Sequence, residues 1–338
     1  MKNFDFGIRV EMGGNIGSGH IFRCIALAEE IKKNKKSIVF LSSNKKNFLI
    51  HSKKFPHIEL KGRNETERIQ ECKKYMNIVK CLIIDLPKYE EKYSKKLKKE
   101  NVIIINDLGN IKIFSKMLIN GSIVKKFQKY EIKKKMTRVL AGPKYMLIRK
   151  EFAELRIKNK KINKSIKKIL LVFGGSDEKN ITKKILKFLP SKNLQITILL
   201  GPGNKNKKNI AQFRKINNVK VLENPKNIAS LFLKQDLIIS STGITIYELA
   251  CLGIPTIMIP ANSAQMESAK SMKRSGFGEI VKLATINDKK FNQIYQKMES
   301  TIYREKMARN GKKIVDGKAV ERILRILKTE KVLFKQIC

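Results

Sequence analysis

The chain of 338 residues is long enough for two domains, and the 42% of its residues that are hydrophobic can fill a core in each. Five cysteines without a CxxC spacing argue against a disulfide framework and a cysteine zinc site. The sequence has neither the pattern of a signal peptide nor an apolar run that would span a bilayer, so we expect a cytoplasmic protein.

The formal net charge of +44 has two interpretations. It would attract phosphate-rich partners, either nucleic acid or an anionic membrane surface. It would also arise without functional demand in a genome rich in A and T, where lysine codons are common. The basic residues are spread along the chain without a zinc-finger or RNP sequence. We expect no specific nucleic-acid partner, and peripheral contact with an anionic membrane stays open. The sequence does not tell which oligomeric state the protein has.

The first half of the chain alternates short apolar runs with longer amphipathic ones. This alternation predicts strands at 6–11, 37–42, 81–85 and 102–107, and a helix at 21–33 after a glycine-rich loop. Apolar runs that end in an acid are typical of buried parallel strands. The pattern therefore indicates an α/β domain in which helices cover a parallel sheet.

A lysine-rich segment, 156–168, has little apolar content and is interpreted as an interdomain linker. The alternation then restarts, with strands predicted at 169–173, 195–200, 219–222, 237–240 and 256–259, and helices at 181–188, 228–234 and from 244. A basic amphipathic helix at 319–334 closes the chain. We predict two Rossmann-like domains, 1–155 and 165–338, with the ligand site in a cleft between them.

A glycine-rich turn, Gly14 to His20, separates the first strand from the first helix. Glycines at 14, 17 and 19 let the backbone approach a ligand, and the amides at a helix start bind anions. The spacing differs from the GxGxxG of dinucleotide-binding folds. His20 lies at the expected helix N-terminus, where the helix dipole favours a neutral ring, so it is a candidate general base. The alternative is a helix cap.

Two polar turns in the second half are candidates for binding a diphosphate. Segments 174–177 and 240–248 each follow an apolar strand, and the second opens a helix whose amides and hydroxyls can meet phosphate. Both have a structural alternative as a helix cap or tight turn. The candidate nucleotide-binding residues are Gly174, Gly175, Ser176, Thr242, Gly243, Ile244, Thr245 and Glu248.

Several blocks of sequence resemble the PseG/SpsG family of UDP-2,4-diacetamido-2,4,6-trideoxy-β-L-altropyranose hydrolases and spore-coat polysaccharide proteins. These blocks are 9–11 with 16–28, 141–152, 173–177 and 241–255. The C-terminal half also resembles MurG-type glycosyltransferases. The resemblance implies a GT-B architecture, two Rossmann-like domains facing across a cleft, and a UDP-sugar substrate handled without a metal or other cofactor.

The resemblance implies His20 as the base that activates the nucleophile, the Thr242–Gly243 turn as the diphosphate site, and Glu248 as the ribose acceptor. The nucleophile attacks the anomeric carbon and UDP leaves. Water would make the protein a hydrolase, and a sugar or lipid-linked acceptor would make it a glycosyltransferase. A third reading is a nucleotide-sugar-binding protein without turnover. The candidate substrate-binding residues are Arg9, Glu11, Gly17, Gly19, Asp85, Asn262 and Gln265.

Three positions depart from the family pattern. Asp85 is followed by Leu-Pro-Lys where the hydrolase has His-Tyr-Gly, with Tyr89 as the aromatic that could substitute. Ala264 replaces an Asn, and Glu11 replaces an Asp. These changes surround the expected sugar site, so they bear on the sugar and the nucleophile more than on the use of a nucleotide sugar.

Overall fold

The alternating runs form two parallel sheets in the computed structural model of the chain. The structure describes residues 3–11, 19–44, 48, 52, 54–87, 91–97, 101–133, 135–158, 160–174, 177, 179–189, 194–201, 204, 210 and 212–329. The chain divides into a first unit, residues 1–149 with 318–338, and a second unit, residues 150–317.

The first unit is built on a parallel sheet in which the strands expected at 6–11, 37–42, 81–85 and 102–107 are joined by others that the sequence had not indicated. Its strands are β1 Phe4–Val10, β2 Ile38–Ser42, β3 His57–Glu59, β4 Val79–Asp85, β5 Val102–Ile105, β6 Ile111–Ile113, β7 Met117–Asn120, β8 Tyr130–Ile132 and β9 Arg138–Ala141. Its first helices are α1 Gly19–Lys33, α2 Glu65–Lys74 and α3 Glu91–Lys96. Within the described residues the sheet order is β3-β2-β1-β4-β5-β7-β9, and β6 pairs separately with β8.

Both faces of this sheet are covered, because alternate residues of a strand enter two separate cores. In β4, Cys81 and Ile83 pack in the core that contains α1, whereas Leu82 and Ile84 pack in the core that contains α2. The chain runs outward from β1 to β3 and then returns to β4 on the other side of β1. The carboxyl ends of β1 and β4 are therefore the switch point where ligands bind in open parallel sheets.

The second unit repeats this plan with strands β10 Lys168–Val172, β11 Gln195–Leu200, β12 Val219–Glu223, β13 Leu237–Ser240, β14 Thr256–Met258 and β15 Glu279–Ile280. Its helices are α4 Lys150–Leu155, α5 Ile181–Leu186, α6 Ile228–Leu233, α7 Ile244–Leu252, α8 Ser263–Arg274, α9 Asp288–Glu299 and α10 Thr301–Ile314. In the described part of this unit, the parallel order β12-β11-β10-β13-β14-β15 puts the switch point between β10 and β13. No helix of the described residues is long and apolar enough to span a membrane.

The sequence analysis interpreted the lysine-rich segment 156–168 as an interdomain linker. This interpretation was wrong, because the segment lies within the second unit. The guanidinium of Arg156 donates to the carbonyls of Cys251, Lys312 and Val315, which lie at the ends of α7 and α10. Lys168 begins β10. A cation at a helix C-terminus is favourable. The high density of charged residues suggested a linker, whereas in the structure Arg156 caps the ends of two helices.

The closing helix, α11 Ala319–Thr329, packs on the first unit rather than on the second, where the sequence had placed it. Its buried residues Ile323, Leu324 and Leu327 join the same core as Ile21 of α1. The amphipathic pattern identified the apolar face but did not identify its partner. Residues 330–334 of the predicted helix lie outside the described residues.

Candidate functional site

His20 lies at the second position of α1, above the carboxyl end of β4. Its Nδ1 is 2.7 Å from Oδ1 of Asp85, the last residue of β4. The His20 side chain is 25% exposed, whereas the Asp85 side chain is completely buried. The switch point of the first sheet therefore holds a histidine that solvent can reach and a carboxylate that solvent cannot reach.

Arg23, one turn further along α1, joins Asp85 to a second acid. Its Nε donates to Oδ2 of Asp85 at 2.6 Å, its Nη2 donates to Oδ1 at 2.5 Å, and its Nη1 donates to Asp107. The other oxygen of Asp107 accepts the amide of Gly121, which follows β7. Arg23 thus connects Asp85, at the end of β4, with Asp107, which follows β5 and is held in turn by the residue after β7.

Asp85 is a carboxylate in this arrangement. Burial alone would raise its pKa, but the guanidinium of Arg23 and the neighbouring ring of His20 outweigh burial and hold the pKa well below its usual range. Burial also opposes the charge of Arg23, yet Asp107 and Asp85 hold its pKa well above the usual value. The buried pair is therefore ionised.

An ionised Asp85 fixes the tautomer of His20. A carboxylate only accepts hydrogen bonds, so the proton of the 2.7 Å contact belongs to Nδ1 of His20. Nη2 of Arg23 also lies 3.2 Å from Nδ1, but a guanidinium cannot accept a hydrogen bond, and Nη2 makes its shorter contact, 2.5 Å, with Asp85. Nε2 then carries the lone pair. This arrangement can take a proton from a nucleophile, as general bases oriented by a carboxylate do.

Asp85 was a candidate for binding substrate, and the structure instead places it beneath His20. Its two oxygens are occupied by His20, by Arg23 and by the thiol of Cys24 at 3.3 Å. With no exposed side-chain surface, Asp85 is placed to act on substrate through His20 rather than directly. Leu86, the first departure from the family pattern, is buried, and Tyr89 lies outside the described residues.

Arg9 and Glu11, two further substrate-binding candidates, belong to a buried ionic cluster beside β1. Nη2 of Arg9 lies 2.6 Å from Glu11 and 2.9 Å from Glu65, and Nε donates to the hydroxyl of Tyr93. Glu11 also accepts the amide and hydroxyl of Ser43. Because Arg9 has no exposed surface, its geometry is that of a structural ion pair. Direct contact of Glu11 with substrate stays a prediction.

In the second unit, two turns meet at the switch point of the sheet. The amide of Ser241 donates to the carbonyl of Val172, the last residue of β10. Gly174 follows with φ of +70°, and a Cβ at this position would come within 3.9 Å of the Ser241 hydroxyl. The structure therefore brings together the turns after β10 and β13, which the sequence had treated separately.

Thr242 and Gln265 form a brace between the turns that follow β13 and β14. The Thr242 hydroxyl donates to the carbonyl of Gln265 at 2.7 Å, and Oε1 of Gln265 accepts the amide of Ala261. Asn262 caps α8 by accepting the amide of Gln265. The side chains expected to hold sugar or phosphate are thus occupied in shaping the turns, and their contacts with substrate stay predictions.

The N-terminus of α7 has amides that no side chain caps, whereas five other helices of the described residues have a capping side chain. Asparagine or serine side chains cap five of the helices, at Asn64, Asn227, Asn262, Asn287 and Ser300. At α7 the N-cap is Gly243, which is exposed and makes no side-chain cap bond. A Cβ on Gly243 would meet nothing within 4 Å. Ile244 and Thr245 follow in the first turn, and both are partly exposed. This helix start can accept an anion.

The remaining nucleotide-binding candidates divide between buried and undescribed positions. Glu248 lies one turn into α7 and is 2% exposed, so its ribose contact stays a prediction. Gly175 and Ser176 of the second glycine turn, and Gly17 of the first, lie outside the described residues. Gly19 begins α1 immediately before His20.

Two residues gain a role that the sequence had not given them. Arg23 was part of the family resemblance, and Asp107 ended a predicted strand, but neither was a candidate site residue. The signal was present in their positions: Arg23 follows His20 by three residues, on the same helix face, and Asp107 follows the strand next to β4. The contact between Arg23 and Asp107 could not be inferred from these positions without knowing that β5 lies beside β4.

Comparison with known proteins agrees with this architecture. The glycosyltransferase family 28 C-terminal domain matches residues 169–323. The spore coat polysaccharide biosynthesis protein SpsG of Bacillus subtilis strain 168 is 25% identical over 95% of this chain and 97% of its own. The UDP-2,4-diacetamido-2,4,6-trideoxy-β-L-altropyranose hydrolase of Campylobacter jejuni is 28% identical over 72% of this chain and 87% of its own.

An uncharacterised protein of Methanocaldococcus jannaschii is 30% identical over 75% of this chain, which spans only 54% of that protein. Among solved structures, MurG of Acinetobacter baumannii superimposes with a TM-score of 0.69 at 15% identity, over 97% of this chain and 100% of its own. The chain therefore has the GT-B architecture expected from its sequence. Its suspected kinship is confirmed: it is a relative of the PseG/SpsG proteins and of MurG-type glycosyltransferases, with a glycosyltransferase family 28 C-terminal domain.

Proposed function

We propose that the protein is a UDP-sugar hydrolase of nonulosonate or surface-polysaccharide synthesis, with His20 as its general base. The observation that carries the proposal is the 2.7 Å bond between Nδ1 of His20 and the buried carboxylate of Asp85. This bond leaves Nε2 as the proton acceptor, on a side chain that solvent reaches.

The proposed reaction is a displacement at the anomeric carbon. Nε2 of His20 takes a proton from water as the water oxygen forms a bond to that carbon. The bond between the carbon and the diphosphate oxygen breaks, and UDP leaves with the electron pair. Asp85 stabilises the imidazolium that forms, as the orienting carboxylate does in a Ser-His-Asp triad.

The second unit would bind the nucleotide at the carboxyl ends of β10 and β13. The uncapped amides after Gly243 would bind the diphosphate and stabilise the charge that develops on the leaving group. Glu248 would accept the ribose hydroxyls, and Gln265 and Asn262 would contribute on the sugar side. A solved UDP-GlcNAc 2-epimerase of Neisseria meningitidis, bound to UDP-GlcNAc, shares this fold with a TM-score of 0.64 at 15% identity.

The choice of water as the nucleophile rests on the named hydrolase among the relatives. A glycosyltransferase is the second candidate, and the family 28 match over 169–323 favours it. In that reaction the same His20 would deprotonate a sugar or lipid-linked acceptor. The two activities differ only in which hydroxyl reaches the anomeric carbon.

One assay separates the candidates. The purified protein is incubated with a panel of UDP-sugars, and UDP release is measured with and without saccharide or lipid-linked acceptors. Release in water alone is expected. Release that requires an acceptor would replace the hydrolase with a transferase, and saturable UDP-sugar binding without release would leave only a binding protein.

Two substitutions test the base. His20→Ala should abolish turnover while UDP affinity is retained, because the proposed nucleotide site lies in the other unit. His20→Asn keeps a donor that can reach Asp85 but has no ring nitrogen to take a proton, so it should be equally inactive. Substantial turnover in either variant would contradict the assignment of the base.

A further inference from the structure

Arg23 is a buried cation that donates to both Asp85 and Asp107, and its Nη2 lies 3.2 Å from Nδ1 of His20. Its side chain is 2% exposed and lies between the carboxylates of Asp85 and Asp107. The thiol of Cys24 also bonds Asp85, and because burial raises the pKa of this thiol, it is neutral. Arg23 thus places a positive charge, held between two carboxylates, beside the ring of His20.

The two bonds to Asp85 fix the plane of that carboxylate. Nε and Nη2 of Arg23 each donate to a different oxygen, at 2.6 and 2.5 Å, which is the bidentate geometry of a guanidinium with a carboxylate. With Oδ1 so placed, it also accepts Nδ1–H of His20 at 2.7 Å. A single-point cation such as lysine would leave the carboxylate free to rotate.

Asp107 balances Arg23 from the other side. Its side chain is 23% exposed, and its second oxygen is held by the amide of Gly121. Without Asp107, the whole charge of Arg23 would act on Asp85 and on the ring. Without Arg23, two carboxylates would lie close together near the ring with no cation between them.

We propose that Arg23, held by Asp107, is a positioning residue that locks Asp85 in the orientation in which it receives Nδ1–H of His20. This inference rests on His20 as the proposed base, and it assigns to Arg23 and Asp107 a role in the protonation of the ring rather than in substrate binding. The step they support is the proton transfer from the nucleophile to Nε2.

The test uses opposite charge changes in the full-length protein. Arg23→Gln should lower kcat by about 100-fold, as loss of an orienting partner typically does, and should move the acid limb of the kcat pH profile to higher pH by about one unit, because Asp85 then favours the imidazolium unopposed. Asp107→Asn should move the acid limb to lower pH, because the charge of Arg23 is no longer balanced. Arg23→Lys should recover only part of kcat.

Arg68→Gln is the matched control, since Arg68 also pairs with an acid of the first unit, Glu65, and its other hydrogen bond is to the carbonyl of Gly62 rather than to His20. It should leave kcat and the pH profile unchanged. A purely structural role for Arg23 predicts lower thermal stability with an unmoved acid limb, and shifts of the same sign in Arg23→Gln and Asp107→Asn would also overturn the proposal.

A second readout needs no turnover. In ¹⁵N-labelled protein, the Nδ1–H proton of His20 should give a slowly exchanging downfield signal that Arg23→Gln weakens or removes and Arg68→Gln retains. If the UDP-sugar assay fails but this signal behaves as expected, the proposed function is wrong and the positioning role stands. If the signal is indifferent to Arg23, the positioning role is wrong, whatever the assay gives.

Discussion

Nδ1 of His20 lies 2.7 Å from Oδ1 of Asp85, and Asp85 has no surface exposed to solvent. The histidine is the second residue of a helix, and the aspartate ends a strand 65 residues later. Their contact is the consequence of a parallel sheet in which β1 and β4 are neighbours. A partly exposed histidine side chain is thereby paired with a completely buried carboxylate.

Asp85→Asn should therefore disable the base without removing it. The amide can donate to Nδ1 and stabilise the tautomer in which Nε2 carries the proton, which is the wrong tautomer for a base. We expect kcat for UDP release to fall by about 10³- to 10⁴-fold, the scale of such tautomer errors, with UDP affinity in calorimetry unchanged. Asp5→Asn, which alters a carboxylate that pairs with Ser37, is the control. Wild-type kcat in Asp85→Asn would contradict the tautomer assignment.

The same residue makes a prediction about acid stability. The folded-state pKa of Asp85 lies below its unfolded value, which is about 3.9. The ionised Asp85 therefore adds to the free energy of unfolding. This contribution is complete above the unfolded-state pKa and is lost as the pH falls through the folded-state pKa. The difference in unfolding free energy between wild type and Asp85→Asn should be constant from pH 5 to pH 8, and should shrink below about pH 4 by at most about 1.4 kcal/mol per pH unit.

The pKa of Asp177 is shifted in the direction opposite to that of Asp85, so its effect on acid stability should also be opposite. Burial raises its pKa, although its carboxylate accepts the amides of Ile181 and Thr182 at the start of α5. The folded state therefore binds a proton more readily than the unfolded state. Wild type should gain stability relative to Asp177→Asn as the pH falls towards 4. Urea unfolding followed by circular dichroism at each pH measures both differences, and parallel curves for the two variants would refute the assignment.

Gly243→Ala should separate nucleotide binding from stability. The φ of Gly243 is −83°, and a Cβ at this position would meet no atom within 4 Å beside the uncapped amides of α7. A methyl group there would occupy the place proposed for the diphosphate. We expect UDP to bind at least 10-fold more weakly, about 1.4 kcal/mol, with thermal stability unchanged.

Gly174→Ala should be compared with Gly243→Ala, because both alter glycines of the proposed nucleotide site. Gly174 has φ of +70°, a conformation that costs alanine roughly 1 kcal/mol or more. This variant should lose thermal stability as well as affinity. Equal UDP affinity in Gly243→Ala and wild type would move the diphosphate away from the start of α7.

The residues differ in how far their roles could be read from the sequence. The central strands were predictable because buried parallel strands are continuous apolar runs, whereas short strands such as β3 and β8 were not predicted. The position of His20 at a helix start was predictable because it follows a glycine-rich turn. The bridge from Arg23 to Asp107 was not predictable, because it depends on β5 lying beside β4. Arg9 looked like a site residue, since sequence alone does not distinguish an arginine that meets substrate from one neutralised by Glu65.

For the closing helix, α11, the amphipathic sequence pattern identified the apolar face but not the core against which that face packs. Ile323 of α11 is completely buried in the core of the first unit, whereas Arg325, two residues later, is exposed. Ile323→Ala should lower the free energy of unfolding of the first unit by about 2–5 kcal/mol, through lost burial and an unfilled cavity. Arg325→Ala should change it by less than about 0.5 kcal/mol. Denaturant unfolding followed by circular dichroism measures both. If the two substitutions cost the same, α11 does not contribute to this core, and its place would be with the second unit after all.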